Sequence, residues 1–173
     1  MPNLLKLSLE ALLISGLAAG ATASASFAQQ PTAPSMSLPF VEPIPIINEY
    51  RQPNSDYSAG HRGVDFLAPI GTVILAPADG EIWFSAHLVN RPVLSLKHDG
   101  DLLTEFEPAC STLRRGERVQ RGQQIGFVCA ADGDYKMHCE ECLHFSTRLN
   151  GEYLSPMYLL GLLNPSRLLA IKN

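Results

Sequence analysis

From position 72 to position 148 the chain is written in short apolar runs separated by turn residues, a pattern of strands. Residues 72–76 (TVILA) and 81–86 (EIWFSA) are rich in β-branched and aromatic side chains, with Ala78-Asp79-Gly80 between them. Residues 92–98 (PVLSLKH) alternate. Val93, Ser95 and Lys97 point one way and Leu94 and Leu96 the other, as successive residues of a strand do. Asp99-Gly100 then signals a hairpin, and 102–107 (LLTEFE) is the returning strand. Residues 123–129 (QQIGFVC) and 143–148 (LHFSTR) predict two more strands, followed by a turn at Asn150-Gly151. Only 156–169 looks helical, and Gly161 and Pro165 interrupt its leucines. The prediction is an all-β fold: an antiparallel β domain with a short helical C-terminal tail.

The N-terminal residues follow another pattern. Lys6 precedes a short apolar run at 11–21, and small residues follow. Ser26 and Ala28 suit the −3 and −1 positions of a cleavage site before Gln29, with Ala23 and Ala25 as a second choice. The run is shorter than the ~20 residues of a membrane span. Residues 1–28 therefore read as an export signal, with no membrane span after its cleavage. Prolines at 31, 34, 39, 43 and 45 make 29–45 a linker. The folded domain is expected over 46–163, with 164–173 as a tail. At 173 residues, 46% hydrophobic and 17% charged, the chain suits one globular domain. A net charge of −4 argues against a nucleic-acid surface. The cluster Arg114, Arg115, Arg118 and Arg121 reads as solvated turns.

Two segments carry chemistry. In 60–65 (GHRGVD), His61 and Asp65 lie four apart, an even spacing that puts both on one face of an extended segment. Imidazole and carboxylate are both zinc donors. In 142–145 (CLHF), Cys142 and His144 share a face while Leu143 and Phe145 turn to the core. As a thiolate, Cys142 would be a fourth metal ligand and close the site. As a disulfide it would leave that position open to water. Export favours paired thiols, and Cys110, Cys129, Cys139 and Cys142 allow three full pairings, among which the sequence does not choose.

The order HRGVDFLAPIGTVILAPADGEI, LKHDGDLLTEF, GERVQRGQQIG and LHF resembles the lysostaphin/LytM-type M23 zinc metallopeptidases over about residues 50–156. The resemblance implies an antiparallel β core with a groove, a zinc ion on His61, Asp65 and His144, and peptidoglycan peptides as substrate. It also implies a secreted or cell-envelope location in a bacterium. His98 matches a histidine common in the family that is not a ligand, and it reads as structural. Two positions depart from the family pattern. The first histidine of His-x-His is here Cys142, and Glu107 stands where the Tyr-x-His-Leu segment supplies another. Both usual catalytic histidines are thus missing, and Glu107 is the candidate replacement base. A second reading keeps the fold and drops the chemistry: a degenerate domain that binds the wall or activates another cell-wall hydrolase. For the cysteines, Cys110–Cys129 with Cys139–Cys142 is the favoured pairing.

Overall fold

The computed structural model describes residues 36–131 and 141–163. Eleven strands run through them. They are β1 (Ile46–Asn48), β2 (Gly63–Leu67), β3 (Val73–Leu75), β4 (Gly80–Leu88), β5 (Arg91–Lys97), β6 (Leu102–Glu107), β7 (Ala109–Cys110), β8 (Arg118–Val119), β9 (Gln124–Val128), β10 (Cys142–Leu149) and β11 (Glu152–Leu154). One helical turn, α1 (Pro156–Leu159), follows. The main sheet has the order β1-β2-β10-β6-β5-β4-β8, with β11 paired to β10, and β3-β9-β7 form a second sheet. Every pairing is antiparallel. The all-β, antiparallel expectation describes this architecture.

The turns fall where the sequence placed them. Asn150 and Gly151 both have positive φ, 51° and 88°, and join β10 to β11 across the Leu149–Glu152 pair. A two-residue loop with both φ positive matches the twist of the flanking strands, and Asn-Gly adopts it with little strain. Asp99-Gly100 joins β5 to β6 through a short 3-10 turn with Gly100 at φ 71°.

One face of the main sheet is the core. Phe66, Phe106 and Phe145 are fully buried, on β2, β6 and β10. Their rings form a chain, Phe66 to Phe145 at 6.3 Å and Phe145 to Phe106 at 5.1 Å. Burial of each such side chain contributes about 2–3 kcal/mol, and the ring contacts add to it.

The packed region also reaches back before the expected start at Ile46. Met36 and Phe40 belong to the core, and Phe40 packs edge-on against Phe66 at 5.0 Å. The backbone there is tied down as well, with Met36 N donating to Leu159 O and Leu75 N to Pro39 O, both at 2.9 Å. Residues 36–45 are thus part of the packed region, which the expected start at Ile46 left out. Prolines signalled a linker, but they also suit an extended segment laid along a sheet. In the strand read from 92–98, Val93, Leu94, Ser95 and Leu96 are all buried, so this strand is covered on both sides. Of the helical tail expected over 156–169, the described residues hold one turn, Pro156–Leu159, and the chain turns at Gly161, where φ is 67°. Residues 164–173, the expected export signal 1–28 and residues 29–35 of the expected linker lie outside the described residues. Among the described residues, no helix is long and apolar enough to cross a membrane.

Candidate metal centre

The register of the main sheet assembles the site. On β10, His144 lies opposite Asp65 of β2 on one side and opposite Glu107 of β6 on the other. Asp65 in turn lies opposite Asn48 of β1. One row across four strands therefore reads Asn48, Asp65, His144, Glu107. Directly paired residues share a face, so these side chains stand on the side away from the phenylalanines. The next row on that face holds Gly63, Ser146 and Glu105.

Gly63 is a spatial requirement. A Cβ built there would sit 2.7 Å from Cε1 and Nε2 of the His144 ring and would clash with the Phe145 carbonyl oxygen. The glycine of GHRGVD is what lets the imidazole lie across β2.

His61 comes in from outside the strands. Its backbone exchanges two 2.9 Å hydrogen bonds with Arg51, which pin it beside β2. The ring Nδ1 lies 2.8 Å from Glu49 O. A carbonyl only accepts, so Nδ1 carries the proton and Nε2 presents its lone pair inward. That Nε2 is 3.1 Å from Asp65 Oδ1 and 3.2 Å from His144 Nδ1, and Asp65 Oδ1 is 2.8 Å from His144 Nδ1. Asn48 Nδ2 donates to Asp65 Oδ2 at 2.9 Å and fixes the carboxylate plane.

This triangle fits a divalent ion of zinc type. Bonds of ~2.0–2.1 Å in a tetrahedron put neighbouring ligand atoms about 3.3 Å apart, close to the two separations at His61, while the 2.8 Å between Asp65 and His144 would open slightly around an ion. The donor types fit too. Asp65 is fully buried, and a buried carboxylate requires compensating positive charge or hydrogen bonds. Tying the far side of a ligand, as Glu49 O ties His61 and Asn48 ties Asp65, is what orients metal ligands elsewhere. A cavity of about 570 Å³ opens over the site, lined by His61, His144, Glu107, Arg51, Arg62 and Arg91 among others.

Glu107 is not an isolated carboxylate. Its Oε1 pairs with Nε of Arg91 at 2.5 Å. Glu105, one row on, pairs with Arg148 at 3.3 Å. Burial pushes the Glu105 carboxyl above the usual range, Arg148 opposes the rise, and the nearby charge of Glu107 adds to it.

Cys142 shares the strand face of His144 and is buried, but it is disulfide-bonded and lies outside the three-donor cluster. The thiolate option, a fourth ligand closing the site, is therefore removed. Cys139 lies outside the described residues. The pair Cys110–Cys129 is present, with Cα atoms 5.7 Å apart, and fastens β7 to the end of β9. His98 stands apart from the cluster, on the core side of the sheet. Its Nδ1 donates to Asp79 O at 2.7 Å, and its Nε2 lies 2.9 Å from Thr104 Oγ1. Burial lowers its pKa. It is a structural histidine.

Sequence reasoning brought His61, Asp65 and His144 together, and the structure does the same. It missed Asn48, Arg51 and Arg91. No spacing marks them, because each reaches the site through strand pairing with a distant segment.

Comparison with known proteins identifies the family. The model of peptidase family M23 matches residues 59–156, more than half the chain. An uncharacterized protein of Mycobacterium tuberculosis is 29% identical over 129 residues, which is 72% of this chain and 51% of that protein. The peptidoglycan DD-endopeptidase ShyC of Vibrio cholerae is 32% identical over 98 residues, 56% of this chain and 22% of that enzyme. The chain thus spans about half the length of the mycobacterial relative and less of the Vibrio one. A crystal structure of a zinc-containing peptidase from Vibrio cholerae shares the fold, with a TM-score of 0.60 at 20% identity over 71% of this chain and 39% of that one. The strand order, the donor cluster and the matched residues converge: the chain belongs to peptidase family M23.

Proposed function

We propose that this protein is an exported zinc metallopeptidase that cuts peptide bonds in bacterial peptidoglycan. The observation that carries the reading is the triangle of Nε2 of His61, Oδ1 of Asp65 and Nδ1 of His144, with a carboxylate one strand away in the same row. The relatives named for peptidoglycan cleavage supply the substrate class.

His61, Asp65 and His144 would hold the ion. When bound, zinc supplies Lewis acidity, polarising a carbonyl and acidifying water toward a pKa of ~7. The chain's own residues do the rest. Asn48 holds the Asp65 carboxylate in place, and Glu49 O keeps the His61 Nε2 lone pair turned inward. Glu107 takes a proton from the attacking water and returns one to the leaving amine, the work of the histidines this chain lacks. Arg91 fixes the Glu107 carboxylate. Export by residues 1–28 would place the enzyme in the cell envelope, where its substrate lies.

The Arg91–Glu107 pair also favours a second reading. With one oxygen committed to a guanidinium, Glu107 has less of its carboxylate for proton transfer. A non-catalytic domain that binds wall peptides or activates another wall hydrolase would keep the same groove.

The test is peptide release from purified cell walls by the zinc-loaded protein, with and without a chelator. The enzyme reading expects chelator-sensitive release, with kcat falling about 10²–10⁴-fold in Glu107→Gln. Folded, zinc-loaded protein that releases nothing from several wall types points to the second reading.

A further inference from the structure

The charges around the cavity are uneven. Its two carboxylates, Glu105 and Glu107, are each matched by an arginine, Arg148 and Arg91. Arg51 and Arg62 are placed differently. Arg51 donates through Nη1 to the side-chain oxygen of Asn48 at 2.6 Å. Arg62 donates through Nη2 to the backbone oxygens of Asp56 and Ser58, and its guanidinium lies 5.8 Å from the centre of the Tyr153 ring. All these acceptors are neutral. Among the described residues, neither guanidinium is matched by a carboxylate, and the remaining N–H groups of both make no hydrogen bond.

Both arginines flank His61, and both are held. Arg62 follows it in sequence, and Arg51 faces it across the paired backbone hydrogen bonds. Both line the same cavity. Two like charges lining one cavity beside a metal-type centre repel each other, and an anion bound in that cavity relieves the repulsion. The local excess is positive although the whole chain carries −4, so it is a property of this site. A planar fork of N–H donors in a cleft is the usual means of recognising a carboxylate.

We propose that Arg51 and Arg62 form a carboxylate-binding subsite on the His61 side of the cavity, selecting peptides with a free carboxylate near the bond presented to the site. This deepens the peptidase reading and rests on it for the identity of the ligand as a peptide. The carboxylate is either the C-terminal one or that of an acidic side chain.

The experiment measures affinity of the full chain, zinc-loaded and zinc-free, for three N-acetylated tetrapeptides ending in D-alanyl-D-alanine. One is amidated and neutral, one has a free C-terminal carboxylate, and one is amidated with glutamate at its second position. At least one anionic peptide is expected to bind about tenfold more tightly than the neutral one, a preference weakened by salt. Which of the two does so identifies the source of the carboxylate. The double variant Arg51→Gln/Arg62→Gln should lose the preference, and Arg51→Lys/Arg62→Lys should keep part of it, both with thermal unfolding near that of the parent. Equal binding of all three peptides, no binding of any, or a preference that survives the double glutamine variant would each overturn the subsite. Hydrolysis is followed on the same peptides. Discrimination without cleavage removes the peptidase reading and leaves the subsite; cleavage without discrimination does the reverse.

Discussion

Two histidine environments lie on opposite sides of one sheet, and their contrast explains what each does. His98 is on the core side, with one ring nitrogen on a carbonyl and the other beside a buried hydroxyl. Both nitrogens are occupied, and burial keeps the ring neutral against the Asp79 carbonyl, which favours the charged form. His61 is nearly as buried, and its Nδ1 is likewise tied to a carbonyl. Its Nε2, however, looks at a carboxylate oxygen and a second imidazole rather than at a hydroxyl. The first nitrogen fixes the tautomer in both cases. What faces the second nitrogen separates a structural histidine from a candidate metal ligand.

The largest effect expected from breaking the contrast is on the ligand side. Asp65→Asn keeps the shape and removes the charge. Metal content by elemental analysis should fall from about one zinc per chain to near none, because binding needs a deprotonated donor set. A variant that still binds zinc tightly would mean the ion is held elsewhere.

Gly63→Ala comes next. The new methyl group would meet the His144 ring and the Phe145 carbonyl, so overpacking should cost about 1–3 kcal/mol. Denaturant unfolding reads the stability loss, and zinc affinity should drop along with it. Unchanged stability would mean that β2 and β10 can spread at low cost.

The smallest effect is on the structural histidine. Its folded-state pKa is lowered by burial, so on acidification the unfolded chain takes up this proton first. Stability from neutral His98 is fully present above the unfolded value of ~6.5 and is lost as pH falls below it toward the folded value. His98→Gln should therefore flatten the loss of stability below pH ~6.5 while leaving zinc affinity unchanged. Its two lost or altered hydrogen bonds should lower stability at pH 7 by about 1–3 kcal/mol. An acid limb as steep as that of the parent would assign the proton to another group.

Much of this was legible in the sequence, for identifiable reasons. The strands were visible because apolar and polar residues alternate, and the hairpins because Asp-Gly and Asn-Gly favour positive φ. His61 and Asp65 stood out as two zinc donors at even spacing, and the resemblance to the M23 peptidases joined His144 to them. Glu107 was named from its place in the chain, but only the pairing of β6 with β10 sets it directly across from His144. Its ion pair with Arg91 depends on a further pairing, and no local rule reports that. Asn48 was hidden for the same reason: Ile46–Asn48 is a three-residue edge strand whose meaning comes from its neighbour. The packing of Met36 and Phe40 into the core escaped notice because proline-rich composition describes backbone stiffness and says nothing of what the stiff segment lies against.

The alternation along Cys142–Leu149 has a consequence for how such a chain can vary in length. Leu143 and Phe145 face the core, while Cys142, His144 and Ser146 face the other way. Inserting or deleting a single residue within the strand would carry a phenylalanine to the donor position and an imidazole into the hydrocarbon interior. No side-chain adjustment repairs such a frame shift. Gains and losses of residues are thereby confined to the loops between strands, and the distance from the disulfide-bonded cysteine to the ligand histidine is locked at two.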